Sequence, residues 1–113
     1  MPDMIIRPRR LRTTPALRDL VAEARIDAAM LVQPHFVVPG RDVSEPIGAM
    51  PGIGHESVDR FIDTVARDVE LGIRSILLFG VPEDGAKTAD GRAAWADDAV
   101  VPEAVAAVKE RFG

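Results

Sequence analysis

Met30-Leu31-Val32-Gln33-Pro34-His35-Phe36-Val37-Val38 and Ser75-Ile76-Leu77-Leu78-Phe79-Gly80-Val81 are the two stretches on which the fold turns. Both are short and nearly continuously apolar, the pattern of strands covered on both faces, as in parallel sheets. Pro34 is awkward in the first, because proline cannot donate to a ladder and belongs at an edge or a bulge. Pro82 ends the second. Between them Val58, Phe61, Ile62, Val65 and Val69 recur at helical spacing, predicting a helix over about 57–71 with Ser57 as its cap. Gly72 stands where a left-handed C-terminal cap is expected. A strand–helix–strand of this spacing predicts a right-handed parallel crossover.

Outward from this unit, residues 39–54 read as loop, punctuated by Pro39, Gly40, Pro46, Gly48, Pro51, Gly52 and Gly54. Residues 83–98 read as an acidic loop. A third helix is expected near Pro102, with Val101, Val105, Val108 and Phe112 on one side. Before the first strand, Thr14 is a sound N-cap and Pro15 suits the first helical position. Leu17, Leu20, Val21 and Ala24 follow as one apolar stripe, which must dock on something to persist. The first dozen residues read as an irregular arm. Residues 1–28 are thus expected to form an arm with a short helix, and residues 29–113 two strand–helix units. Two parallel strands alone leave long unpaired edges, so the sequence asks for more strands than it contains.

Charge divides along the same line. Residues 1–25 hold six arginines against Asp3, Asp19 and Glu23, whereas the remainder holds 8 basic and 15 acidic residues within a net charge of −4. A basic arm on an acidic body suits an acidic protein surface. No aromatic residues interleave with the arginines as stacking platforms, so no nucleic-acid partner is expected. No apolar run approaches the ~20 residues that span a bilayer, and the first residues lack a signal-peptide core, so no membrane and a cytoplasmic location are expected. With no cysteine in 113 residues, disulfides, thiolate zinc sites and cysteine nucleophiles are excluded within the chain.

The chemical motifs fall short. Gly52-Ile53-Gly54-His55-Glu56-Ser57 resembles a dinucleotide fingerprint, but a turn rather than a strand precedes it, so it reads as a tight turn at a helix entrance. His35 and His55 have no partner histidine at i, i+4; His55 and Glu56 are expected to cap or solvate the helix start. Glu83, Asp84, Asp90, Asp97 and Asp98 match no calcium loop. Lys87 lies among acids and Lys109 near a helix C-terminus, neither the desolvated setting of a Schiff-base lysine. No catalytic residue and no metal ligand is assigned.

Arg7-Pro8-Arg9-Arg10-Leu11-Arg12, Pro15-Ala16-Leu17-Arg18, Pro34 before Phe36-Val37, Glu45-Pro46-Ile47, Met50-Pro51-Gly52, Gly72-Ile73-Arg74-Ser75, Phe79-Gly80-Val81, Asp90-Gly91 and Ala94-Trp95 form an ordered series. Together they resemble the porphobilinogen synthase (δ-aminolevulinic acid dehydratase) family over nearly the whole chain. His35 departs, since the family usually has an aliphatic residue there, and so does the turn Gly54-His55-Glu56. The resemblance implies an α/β fold: an N-terminal arm plus the first two βα units of a (β/α)8 TIM barrel, which needs ~250 residues to close. It implies that the arm embraces a neighbouring subunit within a homo-octamer, making Arg7, Arg9, Arg10, Arg12, Leu17, Leu20 and Val21 subunit-interface candidates. It further implies condensation of two 5-aminolevulinate molecules to porphobilinogen in tetrapyrrole (haem) biosynthesis. The family's Schiff-base lysines, and the zinc or magnesium that full-length members often bind, are expected beyond Gly113. An N-terminal fragment, inactive alone, is therefore expected. The alternative is a non-catalytic interaction module that binds full-length subunits through the arm.

Overall fold

The computed structural model describes residues 8–113, so the interface candidate Arg7 lies outside the described residues. A 3-10 turn at Arg10–Arg12 leads into helix α1 (Pro15–Leu20). Thr14 caps α1 as expected, its Oγ1 accepting from the Leu17 N–H at 3.2 Å. The helix is shorter than its stripe: Val21 is already the C-cap, and Ala24 lies beyond it. Nothing is buried on α1, and its substantial packing among the described residues is on the 3-10 turn alone. An undocked helix of this length has little to extend it.

Strand β1 (Val32–Val38) follows a second 3-10 turn, Ala28–Met30, so it starts two residues later than its apolar run. Residues 39–54, expected as loop, contain two further strands: β2 (Ser44–Pro46) and the start of β3 (Gly54–Ser57). Their period is illegible because they are three and four residues long. Pairing creates them instead. β3 runs parallel to β1 with Phe36 opposite His55, and β2 runs antiparallel to β3 with Glu45 opposite His55. β4 (Ser75–Gly80) runs parallel along the other side of β1, giving the order β2-β3-β1-β4.

The register resolves the awkward proline. Val37 turns its carbonyl toward β4, where it accepts from the Val81 N–H at 2.9 Å. Backbone groups alternate sides along a strand, so Pro34 turns its missing donor toward β3. There β3 does not begin until the level of Phe36, leaving that position a local edge.

Helices α2 (Val58–Glu70) and α4 (Val100–Phe112) pack on one face of this sheet. Val37, Phe61, Ile62, Val65, Val100 and Ala104 form the core, with Ile76 and Leu78 against it. Each large side chain so buried stabilises the fold by about 1.5–3 kcal/mol. α2 ends in the expected glycine cap. Gly72 has φ 87°, its N–H bonds to the Val69 carbonyl, and the Ile73 N–H bonds to the Asp68 carbonyl. Two helix faces are rotated from their expected positions. Asp68 is buried where Val69 was expected, and α4 begins two residues before Pro102 and buries Val100 and Ala104, leaving Val105 and Phe112 exposed. A short helix, α3 (Arg92–Trp95), interrupts the acidic loop.

Among the described residues, none covers the opposite face of the sheet at β4. Leu77 is 49% and Phe79 45% exposed, so β4 is covered on one side only, contrary to its reading as a doubly buried strand. Phe36 and Phe79 stack there with centroids 5.2 Å apart, and His55 meets Phe36 edge-on at 6.1 Å.

Candidate functional site

Parallel strands carry their chemistry at their C-terminal ends, on the loops that follow. At the ends of β1 and β4 lies a recess of about 320 Å³, walled by Pro39, Pro82, Glu83, Thr88, Arg92 and Asp98 and floored by the start of α4. Its far wall is the 83–98 loop, which is folded by its own hydrogen bonds. Thr88 Oγ1 donates to the Asp90 carboxylate and accepts from the Arg92 N–H at 3.1 Å, and the Trp95 indole N–H reaches the Asp90 carbonyl at 3.1 Å. The Thr88 hydroxyl, aided by the Arg92 N–H, holds the Asp90 carboxyl below the usual aspartate range. The Thr88 hydroxyl and the Asp90 carboxylate are thus engaged with each other in ordering the loop.

The two lysines lie on the surface. Lys87 and Lys109 are both exposed, without the desolvation that activates an amine. Among the described residues no three His, Cys, Asp or Glu side chains gather as a metal site. Among them, too, no helix is long and apolar enough to cross a membrane.

His35 lies in its expected strand, β1, and His55 in a strand not expected from the sequence. His55 and Glu56 lie in β3, which runs directly into α2 at Ser57, and Glu56 Oε1 accepts from Thr64 of α2 at 2.9 Å. His35 is buried on the helix-covered face, its Nε2 2.7 Å from Asp68 Oδ2, with Phe61 edge-on at 5.2 Å. Asp68 escaped the sequence reading, although a signal existed: it follows Phe61 and Val65 at i+7 and i+3, an acid within the apolar stripe.

The remaining interface candidates share one region. Arg9, Arg10, Arg12, Leu20 and Val21 are exposed and Leu17 is half-buried, all on the segment before Ala28. Arg18 donates to the Arg12 carbonyl and Arg25 to the Asp19 carbonyl, so the arm bonds within itself. The described residues reach 66 Å along their longest axis, with a radius of gyration of 21.5 Å against about 13 Å for a compact chain of this size.

The family profile for delta-aminolevulinic acid dehydratase matches residues 5–113. The chain is 44% identical over 107 residues to the delta-aminolevulinic acid dehydratase of Streptomyces coelicolor, covering 95% of this chain and 32% of that protein. The Synechocystis enzyme is 43% identical, with 93% and 32% covered. Among solved structures, the delta-aminolevulinic acid dehydratase (porphobilinogen synthase) of Toxoplasma gondii, in complex with the reaction product porphobilinogen, superposes with a TM-score of 0.85. It is 32% identical, and the match covers 97% of this chain and 31% of that one. The chain thus spans about a third of the length of the curated relatives it matches. The four-stranded sheet is an incomplete part of the TIM barrel of that fold, with α2 and α4 on the outside and the Phe36–Phe79 face toward the interior. With its profile match, its relatives and its superposition in agreement, the chain belongs to the delta-aminolevulinic acid dehydratase family.

Proposed function

We propose that the chain is the N-terminal portion of a cytoplasmic porphobilinogen synthase, the enzyme that condenses two 5-aminolevulinate molecules to porphobilinogen in tetrapyrrole biosynthesis. The observation that carries this reading is the superposition of 97% of the chain on a synthase solved with its product. In this role the chain supplies wall rather than chemistry. The recess at the ends of β1 and β4 forms one side of the active-site mouth, and the exposed Phe36 and Phe79 pack within the closed barrel. The catalytic lysines, and any zinc or magnesium, come from outside these residues, and the chain alone is inactive. The exposed arm, Arg9 to Val21, contacts a neighbouring subunit of a homo-octamer.

A chimera tests the synthase reading. Residues 5–113 replace the matching segment of the Streptomyces coelicolor relative, and porphobilinogen formation is measured. Retained activity is expected; a folded but inactive chimera overturns the proposal. Inactivity of the chain alone is tested by borohydride trapping with 5-aminolevulinate, where a covalent adduct at Lys87 or Lys109 is the refuting result.

A second reading, a non-catalytic module that binds full-length subunits, is favoured by one observation: among the described residues the arm is exposed and bonds within itself. Co-expression with the same full-length relative tests it, and absence of co-purification removes it.

A further inference from the structure

The loop leaving β1 is fastened in an unusual way. Asp42 is the one described non-glycine residue with positive φ, 54°, a left-handed conformation that L-residues resist. Something must hold it, and the holders stand at the start of α2. Asp59 Oδ2 accepts from the Asp42 N–H at 2.9 Å, and the Asp42 carboxylate meets Arg60 Nε at 3.1 Å. The next amide, Val43 N–H, donates to Ser57 Oγ at 2.9 Å, and Ser57 Oγ–H donates to Asp59 Oδ1 at 2.5 Å. Ser57 is fully buried at the N-cap position of α2, yet its side chain makes no capping bond. The hydroxyl that would ordinarily accept from the second or third helical N–H serves the loop instead.

We propose that Ser57 and Asp59 form a two-position latch: with Asp59 in place Ser57 fastens the 41–43 strap to α2, and without it Ser57 turns back to cap the helix. Two sets of backbone donors compete for one oxygen. Asp59 decides between them because, at 2.5 Å against 3.4 Å for the Val43 carbonyl, it is the nearer acceptor of the Ser57 proton and leaves the lone pairs facing the Val43 N–H. The Ser57 hydroxyl first, and the Asp42 N–H second, hold the Asp59 carboxyl below the usual aspartate range, in keeping with a carboxylate engaged from both sides. The strap runs from Pro39, a wall of the recess, to β2, so the latch fixes the position of that rim. It stands independently of the proposed function.

Amide hydrogen exchange on the full 113-residue chain tests the latch residue by residue. In Asp59→Ala, the Asp42 and Val43 amides are expected to exchange roughly tenfold faster, the scale of one lost charge-assisted bond. The Arg60 amide slows as Ser57 caps it, while Phe61, Ile62 and Val65 keep their protection. Loss at Val43 is the discriminating sign, because its own acceptor, Ser57, is untouched. Asp59→Asn, which preserves shape, shows the same pattern at smaller amplitude and serves if the alanine variant fails to fold. Ser57→Ala frees Val43 without slowing Arg60. Unchanged exchange at Asp42 and Val43, or a uniform loss of protection along α2, overturns the proposal.

Discussion

Replacing Asp68 with leucine leaves the His35 imidazole buried against Phe61 with no acceptor at Nε2. The two side chains are 7% and 12% exposed and 2.7 Å apart, so neither is rescued by bulk water in place. Leaving a buried imidazole N–H without its acceptor costs about 1–3 kcal/mol, the desolvation penalty no longer offset by a bond. Against a total of ~5–15 kcal/mol for a domain, that is a large fraction of the fold. At an m-value of ~1.5 kcal/mol/M, the urea midpoint falls by about 1–2 M. The double variant His35→Leu/Asp68→Leu is expected to recover most of this loss, since an apolar pair of similar volume needs no partner. Far-UV circular dichroism is the suitable probe, as α2 and α4 dominate the helix content. Trp95 is 61% exposed, and its emission reports the loop rather than the core. A loss below ~1 kcal/mol in Asp68→Leu, or a double variant that loses the sum of the two single losses, would refute the pairing of His35 with Asp68 as a stabilising contact.

The fold carries three further expectations. Asp59 and Asp90 both titrate below the usual value of ~3.9 in the folded chain, so each adds stability that is present above that value and lost as pH falls through the lower folded one. Unfolding curves between pH 5 and 2 are therefore expected to flatten in Asp59→Asn and Asp90→Asn; identical slopes contradict this. Gly80→Ala places a Cβ 2.7 Å from Val101 Cγ2, an overpacking worth about 1–3 kcal/mol, and adding Val101→Ala relieves it in a thermal melt. Gly72→Ala forces a side chain into φ 87° at the α2 cap and is expected to cost about 1–2 kcal/mol, whereas a stabilised variant would refute the cap assignment.

Much of the helical structure was readable from local pattern. Thr14 with Pro15, the stripe Phe61–Ile62–Val65 and the cap at Gly72 each depend on contacts within about one turn, and each stands where periodicity and capping chemistry place it. The recess was readable only as a location, the ends near Val38 and Val81. The ordering of its far wall through Thr88, Asp90 and Trp95 was not, because single polar residues in a loop carry no period.

By itself the sequence determined where the chain turns and caps, which runs are apolar and how charge divides between arm and body, since these follow from dihedral preference and transfer energy residue by residue. Only the tertiary structure decided the rest. β2 and β3 exist because β1 offers them a ladder, and Asp68 is buried because His35, 33 residues earlier, supplies its partner. Ser57 faces the loop rather than its helix, with Val43 donating to its oxygen and Asp59 accepting its proton. Leu77 and Phe79 remain exposed although their strand reads as core, because burial is conferred by whatever packs opposite, and here the helices cover one face only.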